Sequence, residues 1–253
     1  MQITLLGTGT SCGVPVIGCQ CATCLSHDPR DKRLRCSVLV ETPTTRVLID
    51  CGPDFRQQML PQPFRRIDAI LITHAHYDHM GGMDDIRPYC QFGAINVYAD
   101  ATACQGLLQM LPYCFADHRY PGVPAIGLHT IEAGKPMTVG DIEVMPVEVM
   151  HGQLPILGFR FGRFAYITDM KTMTSEQAAL LEGVEVLVVN ALRFAPTHHS
   201  HQLVADAVAF ASQLGVSRTL LTHLCHDIGP HAEASLRLPD GVELAFDTQT
   251  IVV

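Results

Sequence analysis

Apolar runs broken by glycine, proline and polar clusters recur from end to end, and their lengths separate strands from helices. Ile3-Thr4-Leu5-Leu6 predicts an opening strand that runs into Gly7-Thr8-Gly9-Thr10-Ser11-Cys12-Gly13. Ser37-Val38-Leu39-Val40-Glu41 and Arg46-Val47-Leu48-Ile49-Asp50 flank Thr42-Pro43-Thr44-Thr45, the pattern of a hairpin. Ile67-Asp68-Ala69-Ile70-Leu71-Ile72 predicts a buried strand, Met83 to Pro88 a short helix with acidic residues in its first turn, and Ile95-Asn96-Val97-Tyr98 another strand. Asp100 is placed to cap a helix ending near Met110, and 112–129, rich in Pro, Tyr and Gly, is a long connection. Strand patterns resume at 142–149, 158–161 and 164–168, then at 184–189, 218–222, 242–246 and 251–253. Helices are expected over 175–182 and 200–214, the second with Ser200 as its N-cap. Strands and helices thus alternate in two successive halves with no linker. The pattern predicts one α/β domain over residues 1–253, with two sheets inside and helices outside.

Composition narrows the class. The chain has 253 residues, 47% hydrophobic and 17% charged, enough apolar content for a substantial core. No apolar run approaches the ~20 residues that span a bilayer, and the N-terminus lacks a signal-peptide pattern, so no membrane association and a cytoplasmic location are expected. A formal charge of −8 argues against nucleic-acid binding, which rewards clustered Lys and Arg. It is compatible with a small phosphorylated substrate, because bound metal ions supply local positive charge. With no export signal, the ten cysteines point to metal ligation or burial rather than disulfides.

The chemistry concentrates in Thr73-His74-Ala75-His76-Tyr77-Asp78-His79, just past a predicted strand. His74 and His76 point the same way on extended backbone, while Asp78 and His79 lie where the chain must turn. Three imidazoles and a carboxylate are costly to bury unless they pair or bind metal. His151, Asp169 and His223 also fall at or just beyond strand ends, where loops on a rigid scaffold present a site. Cys19, Cys21 and Cys24 form a C-x-C-x₂-C cluster suited to one structural zinc in a loop near 18–26, with a fourth ligand to come from elsewhere. Other positions stay open. Asp50 either orients a ligand histidine or caps the helix starting near Asp54. The glycine turn at 7–13 either cradles a phosphate or packs tightly, and it lacks the Lys-Ser/Thr ending of a P-loop. Asp84 and Asp85 read as a solvated first turn, Cys90, Cys104 and Cys114 as core, and His118 and His129 as surface.

Together, the 73–79 motif, His151, Asp169 and His223 resemble the metallo-β-lactamase superfamily in order and separation. That resemblance implies a four-layer αββα sandwich with a dinuclear metal centre at one edge of the sheets. Gly7-Thr8-Gly9, Gly13-Val14-Pro15, the cysteine cluster and Thr222-His223-Leu224-Cys225-His226 resemble its PhnP-type phosphodiesterase branch. The resemblance implies His74, His76 and His151 for one divalent ion, Asp78, His79 and His223 for a second, and Asp169 between them, with Zn or Mn as the metal. It supplies His226 as the fourth ligand, beside Cys19, Cys21 and Cys24, of the structural zinc. It further implies hydrolysis of a small cyclic ribose phosphodiester by a metal-bridging hydroxide, in a protein that pairs as a homodimer. Asp78 and His198 are the expected catalytic residues. His198 lies two residues before the expected N-cap, and His199 and His201 compete with it for the role. A lactonase or thioesterase of the same fold is the alternative. A tRNA 3′-end nuclease would need a basic patch, and a non-catalytic metal-binding accessory protein would be free to lose the ligands.

Overall fold

A computed structural model describes residues 1–118 and 120–253. Two seven-stranded sheets organise the described residues. The first runs in the order β14 (Thr250–Val252), β1 (Gln2–Gly7), β2 (Ser37–Glu41), β3 (Arg46–Ile49), β4 (Ala69–Leu71), β5 (Ile95–Ala99) and β6 (Ile126–Thr130). The second runs β13 (Val242–Leu244), β12 (Arg218–Thr222), β11 (Val186–Asn190), β10 (Phe164–Ile167), β9 (Leu154–Phe161), β8 (Ile142–His151) and β7 (Met137–Val139). β3 to β6 pair in parallel, as do β10 to β13, and the hairpin strands beside them are antiparallel. Each parallel set needs crossovers, and the helices supply them.

Alternation along the strands sorts the core into three slabs. Ile3, Val40, Ile49 and Leu71 of the first sheet meet Phe159, Phe164, Tyr166 and Val188 of the second, forming the layer between the sheets. On the far face of the first sheet, Leu48, Ile70 and Val97 pack on α2 (Phe55–Met59) and α4 (Ala101–Met110). On the far face of the second, Leu187, Val189 and Leu221 pack on α6 (Val204–Leu214). The expected α/β fold with helices outside two interior sheets is therefore present: helix, sheet, sheet, helix. No helix among the described residues is long and apolar enough to cross a membrane.

Three expected element boundaries are corrected. The helix placed at 200–214 begins only at Val204, and Ser200 is not its N-cap. Long-range bonds at Gln202 hold the preceding residues out of the helix: Gln202 N–H donates to the Met170 carbonyl (3.1 Å) and Leu192 N–H to the Gln202 carbonyl (3.0 Å). The Asp206 carboxylate then accepts the Leu203 N–H at 3.0 Å. The helix expected over 175–182 ends at Ala179. The segment after Gly82 is a ten-residue 3₁₀ stretch, Met83–Phe92, containing Pro88 rather than a short α-helix. The Gly7–Gly13 turn packs tightly: Gly9 bridges to Arg35 and Leu224, and a Cβ on Gly7 would meet the Arg35 carbonyl at 1.9 Å.

Candidate metal centre

β4 hands its direction to an extended segment in which Ile72 N–H still donates to the Tyr98 carbonyl. The chain then winds into the single turn α3 (Tyr77–Met80), with His76 extended before it. His76 therefore sits on extended backbone and Asp78 and His79 on a helical turn. Two glycines let the end of β3 clamp that turn. Cys51 N–H donates to the His79 carbonyl (2.7 Å) and Gly82 N–H to the Cys51 carbonyl (2.9 Å). A Cβ on Gly52 would lie 2.1 Å from the Asp78 carbonyl oxygen, and one on Gly82 2.0 Å from that of Gly52, so only glycine permits the approach.

The remaining candidates arrive from other strand ends. His151 is the last residue of β8, and Asp169 and His223 follow β10 and β12. Asp50, Asp169 and His223 all have left-handed backbone, with φ of 60°, 55° and 54°. Such a conformation costs a non-glycine residue about 1–2 kcal/mol, and here it turns three side chains into one space.

That space holds two linked donor groups. Ligand atoms of His74, His76 and His151 lie within 4.8 Å of one another, and those of Asp78, His79 and His223 do the same. Asp169 lies between: it shares a group with His74 and His79, and another with His151 and His201. One Asp169 oxygen is 3.1 Å from His79 Nε2, and the other is 3.1 Å from His223 Nε2 and 3.4 Å from His201 Nδ1. All seven sequence-predicted residues of the dinuclear set thus come together.

Surrounding groups orient the rings. Asp50 Oδ2 lies 2.6 Å from His79 Nδ1 and is fixed in turn by the Thr73 hydroxyl (2.9 Å), while Thr73 N–H donates to Asp50 Oδ1 (2.8 Å). The His79 Nδ1–H is therefore committed to Asp50, leaving Nε2 toward the cluster. His151 Nδ1 donates to the Ser200 carbonyl at 3.0 Å, with the same consequence for its Nε2. Asp50 orients the His79 ring and is not a helix cap; its separation from His79 by 29 residues hid the partnership.

Buried imidazoles and carboxylates set one another's charge. Burial opposes charge on His79, yet Asp50 and Asp169 hold its pKa well above the ordinary value. Burial likewise opposes charge on Asp169, but His223 and His79 hold its carboxyl well below the usual range. Burial and the charge on His79 push His74 well down. Nε2 of His79 and both ring nitrogens of His223 are buried without a hydrogen bond, although carboxylate oxygens stand close. The orphaned Nε2 atoms of His79 and His223 face the Asp78 and Asp169 carboxylates, and mixed imidazole and carboxylate donors suit Zn or Mn.

The histidine loop divides its three rings. His201 stacks on His151 and His223, with centroids 4.6 and 4.8 Å away, and faces Asp169. Burial and the neighbouring His223 push its pKa down to about 3. His198 lies one ring further out, 4.9 Å from His201, and turns Nδ1 toward Ser200; His199 is exposed. The sequence pattern favoured His198; of the loop's rings it is His201 that faces Asp169, with His198 packed against it. Lys171 Nζ holds the His201 carbonyl at 3.1 Å.

A second cluster forms between distant parts of the chain. Cys19 and Cys21 Sγ lie 3.3 and 3.4 Å from His226 Nδ1, and with Cys24 Sγ the four donor atoms fall within 4.8 Å of one another. Cys19, Cys21 and Cys24 form no disulfide, so these thiols remain available as ligands. Amide donors support them: Cys24 N–H donates to Cys21 Sγ and Val16 N–H to Cys24 Sγ, both at 3.4 Å.

Fold and clusters define a class, and comparison with known proteins agrees. A model for the beta-lactamase superfamily domain matches residues 45–224, and the chain belongs to that superfamily. Its branch is the PhnP family: it is similar to the crystal structure of a diphosphatase from that family, 37% identical with a TM-score of 0.91, covering 100% of this chain and 97% of the other. Zn²⁺-bound PqqB from Methylobacterium extorquens shares the fold at 18% identity and a TM-score of 0.83, with 100% of each chain covered. An octanoyltransferase of Porphyromonas gingivalis is 41% identical over 248 residues, covering 98% of this chain and 50% of that protein. The chain spans about half the length of the first curated relatives it matches.

Proposed function

We propose that the protein is a dinuclear metal-dependent phosphodiesterase acting on a small cyclic ribose phosphodiester. The observation that carries this is the pair of donor groups joined by Asp169, in a chain 37% identical to a PhnP-family diphosphatase over its whole length. His74, His76 and His151 would hold one divalent ion, Asp78, His79 and His223 the other, and Asp169 would serve both. Ions bound there supply an activated water and neutralise phosphate oxygens. Asp50 keeps the His79 proton on Nδ1, and the Ser200 carbonyl keeps that of His151 on Nδ1. His201, neutral at pH 7, is placed to donate a ring N–H to a phosphoryl or leaving oxygen, with Lys171 fixing its backbone. We assign the proton-handling role to His201, with His198 packed behind it. Cys19, Cys21, Cys24 and His226 would hold a structural zinc, residues 1–253 acting as one hydrolase domain.

One observation favours a second reading, hydrolysis of a thioester or lactone: the 41% identical relative is named for octanoyl transfer. A panel of bis-p-nitrophenyl phosphate, a ribose cyclic phosphate, a lactone and an octanoyl thioester separates the two. Cleavage of the diesters supports phosphodiester chemistry, whereas cleavage confined to the thioester or lactone replaces it.

A further inference from the structure

Asp169 stands between the two donor groups, and its oxygens face different rings: Oδ2 is 3.1 Å from His79 Nε2, and Oδ1 is 3.1 Å from His223 Nε2. Rotation of the carboxylate would undo that division. The backbone on which it sits is held from neighbouring strands. Asn190, the fully buried last residue of β11, accepts the Met170 N–H on Oδ1 (2.7 Å) and donates from Nδ2 to the Met170 carbonyl (2.9 Å). Lys171 N–H donates to the Met150 carbonyl at 2.7 Å. The turn at Asp169, with its φ of 55°, is thereby pinned, and the freedom left is rotation of the side chain. Thr168 limits that rotation: it is fully buried, and its hydroxyl donates to Asp169 Oδ2 at 2.8 Å. In the other sheet the Thr73 hydroxyl stands in the same relation to Asp50, 3.0 and 2.9 Å from its two oxygens.

Resting on the dinuclear reading, we propose that Thr168 is a positioning residue for the shared centre: its hydroxyl fixes the rotation of Asp169 so that one carboxylate oxygen is offered to each donor group. Such a bond acts through the ligand and not on the substrate. A carboxylate free to turn would still satisfy one ion, with either oxygen or both, and would lose its hold on the other. Thr168 therefore governs the second ion to bind more than the first. The bland origin of the same bond is a buried hydroxyl taking its nearest acceptor. In that case removing the hydroxyl leaves metal binding as it is.

The test titrates metal-stripped protein with Mn²⁺, an ion suited to carboxylate rather than thiolate donors, and follows binding by electron paramagnetic resonance. The wild type should take up two ions at the histidine cluster, the second producing the spectrum of a coupled pair. Thr168→Val keeps the side-chain shape and removes the donor. It should bind the first ion within about threefold of the wild type and the second about 10–100-fold more weakly. The Mn²⁺ concentration for half-maximal cleavage of bis-p-nitrophenyl phosphate should rise by the same factor. Thr168→Ala removes the donor in a second way and should show the same loss, whereas Thr168→Ser returns the hydroxyl and should restore the coupled pair at wild-type affinity. Variants without the hydroxyl that bind both ions as the wild type does, or a Thr168→Ser protein as weak as Thr168→Val, would overturn the positioning role alone. A wild type that takes up a single Mn²⁺ and shows no coupled pair would remove the dinuclear reading and this proposal with it.

Discussion

At the residue scale, Asp50 and His201 carry the account beyond the ligand motif. Asp50 is fully buried and bonded to both Thr73 and His79, so its function is exerted through the His79 ring. Asp50→Ala should weaken metal binding at the His79 side about 10–100-fold, as read by metal titration of the folded protein. His201→Ala should lower phosphodiester turnover about 10²–10⁴-fold at unchanged metal content, and His198→Ala far less. The reverse ranking would return the role to His198. The motif at 74–79 was legible because its ligand types crowd a strand end. Asp50 was legible only as a choice between two roles, and His201 only as one of three, because both depend on contacts across 29 or more residues.

At the scale of elements, strand ends were read well and irregular connections poorly. β4, β10 and β12 lie where apolar runs placed them, since burial on both faces leaves a continuous signature. The loop at 193–203 had none: its irregular course is fixed by bonds to Met170 and Leu192, not by local propensity. The same limit applied to the glycines, whose need is set by backbone approaching from β3. The cysteine loop gives an element-level prediction. α1 (Ala22–Leu25) meets the 3₁₀ turn His226–Ile228 through Cys19, Cys21, Cys24 and His226, and His226 lies three residues beyond His223. Cys24→Ser should lose one equivalent of zinc and lower Tm, and the thermal scan should show the loss even in protein stripped at the histidine cluster. An unchanged Tm at full zinc content would refute the structural assignment.

Across the whole molecule, a buried network ties the N-terminal loops to the last strands. Arg33 donates to Thr8, to the Ala245 carbonyl and, at 3.1 Å, toward His231 Nδ1, while the Thr8 hydroxyl and the Leu34 N–H donate to Asp247. Burial, then Arg33, pushes His231 from 6.5 down to about 4; burial raises Asp247 from 3.8 to about 6. Between those limits the unfolded chain holds more protons than the native one at His231, so that contribution to stability is lost as pH falls from 6.5 toward 4. At Asp247 the native state holds more, so stability is lost as pH rises from 3.8 toward 6. The two nearly cancel in the wild type. His231→Asn removes the first, and urea unfolding should show the variant gaining stability relative to wild type by about 1–3 kcal/mol between pH 6.5 and 4.5. A pH-independent difference would contradict the assignment.

The two-sheet architecture was legible because alternation of strand and helix patterns persists through both halves, whereas the meeting of four strand ends at one edge is a property of the assembled sheets. The most direct test of the central claim is the rate of hydrolysis of a ribose cyclic phosphodiester as divalent metal is returned to stripped protein. The account predicts no turnover without metal and full activity only when both donor groups around Asp169 are filled. Turnover unaffected by metal, or metal-restored activity on a thioester with none on the phosphodiester, would contradict it.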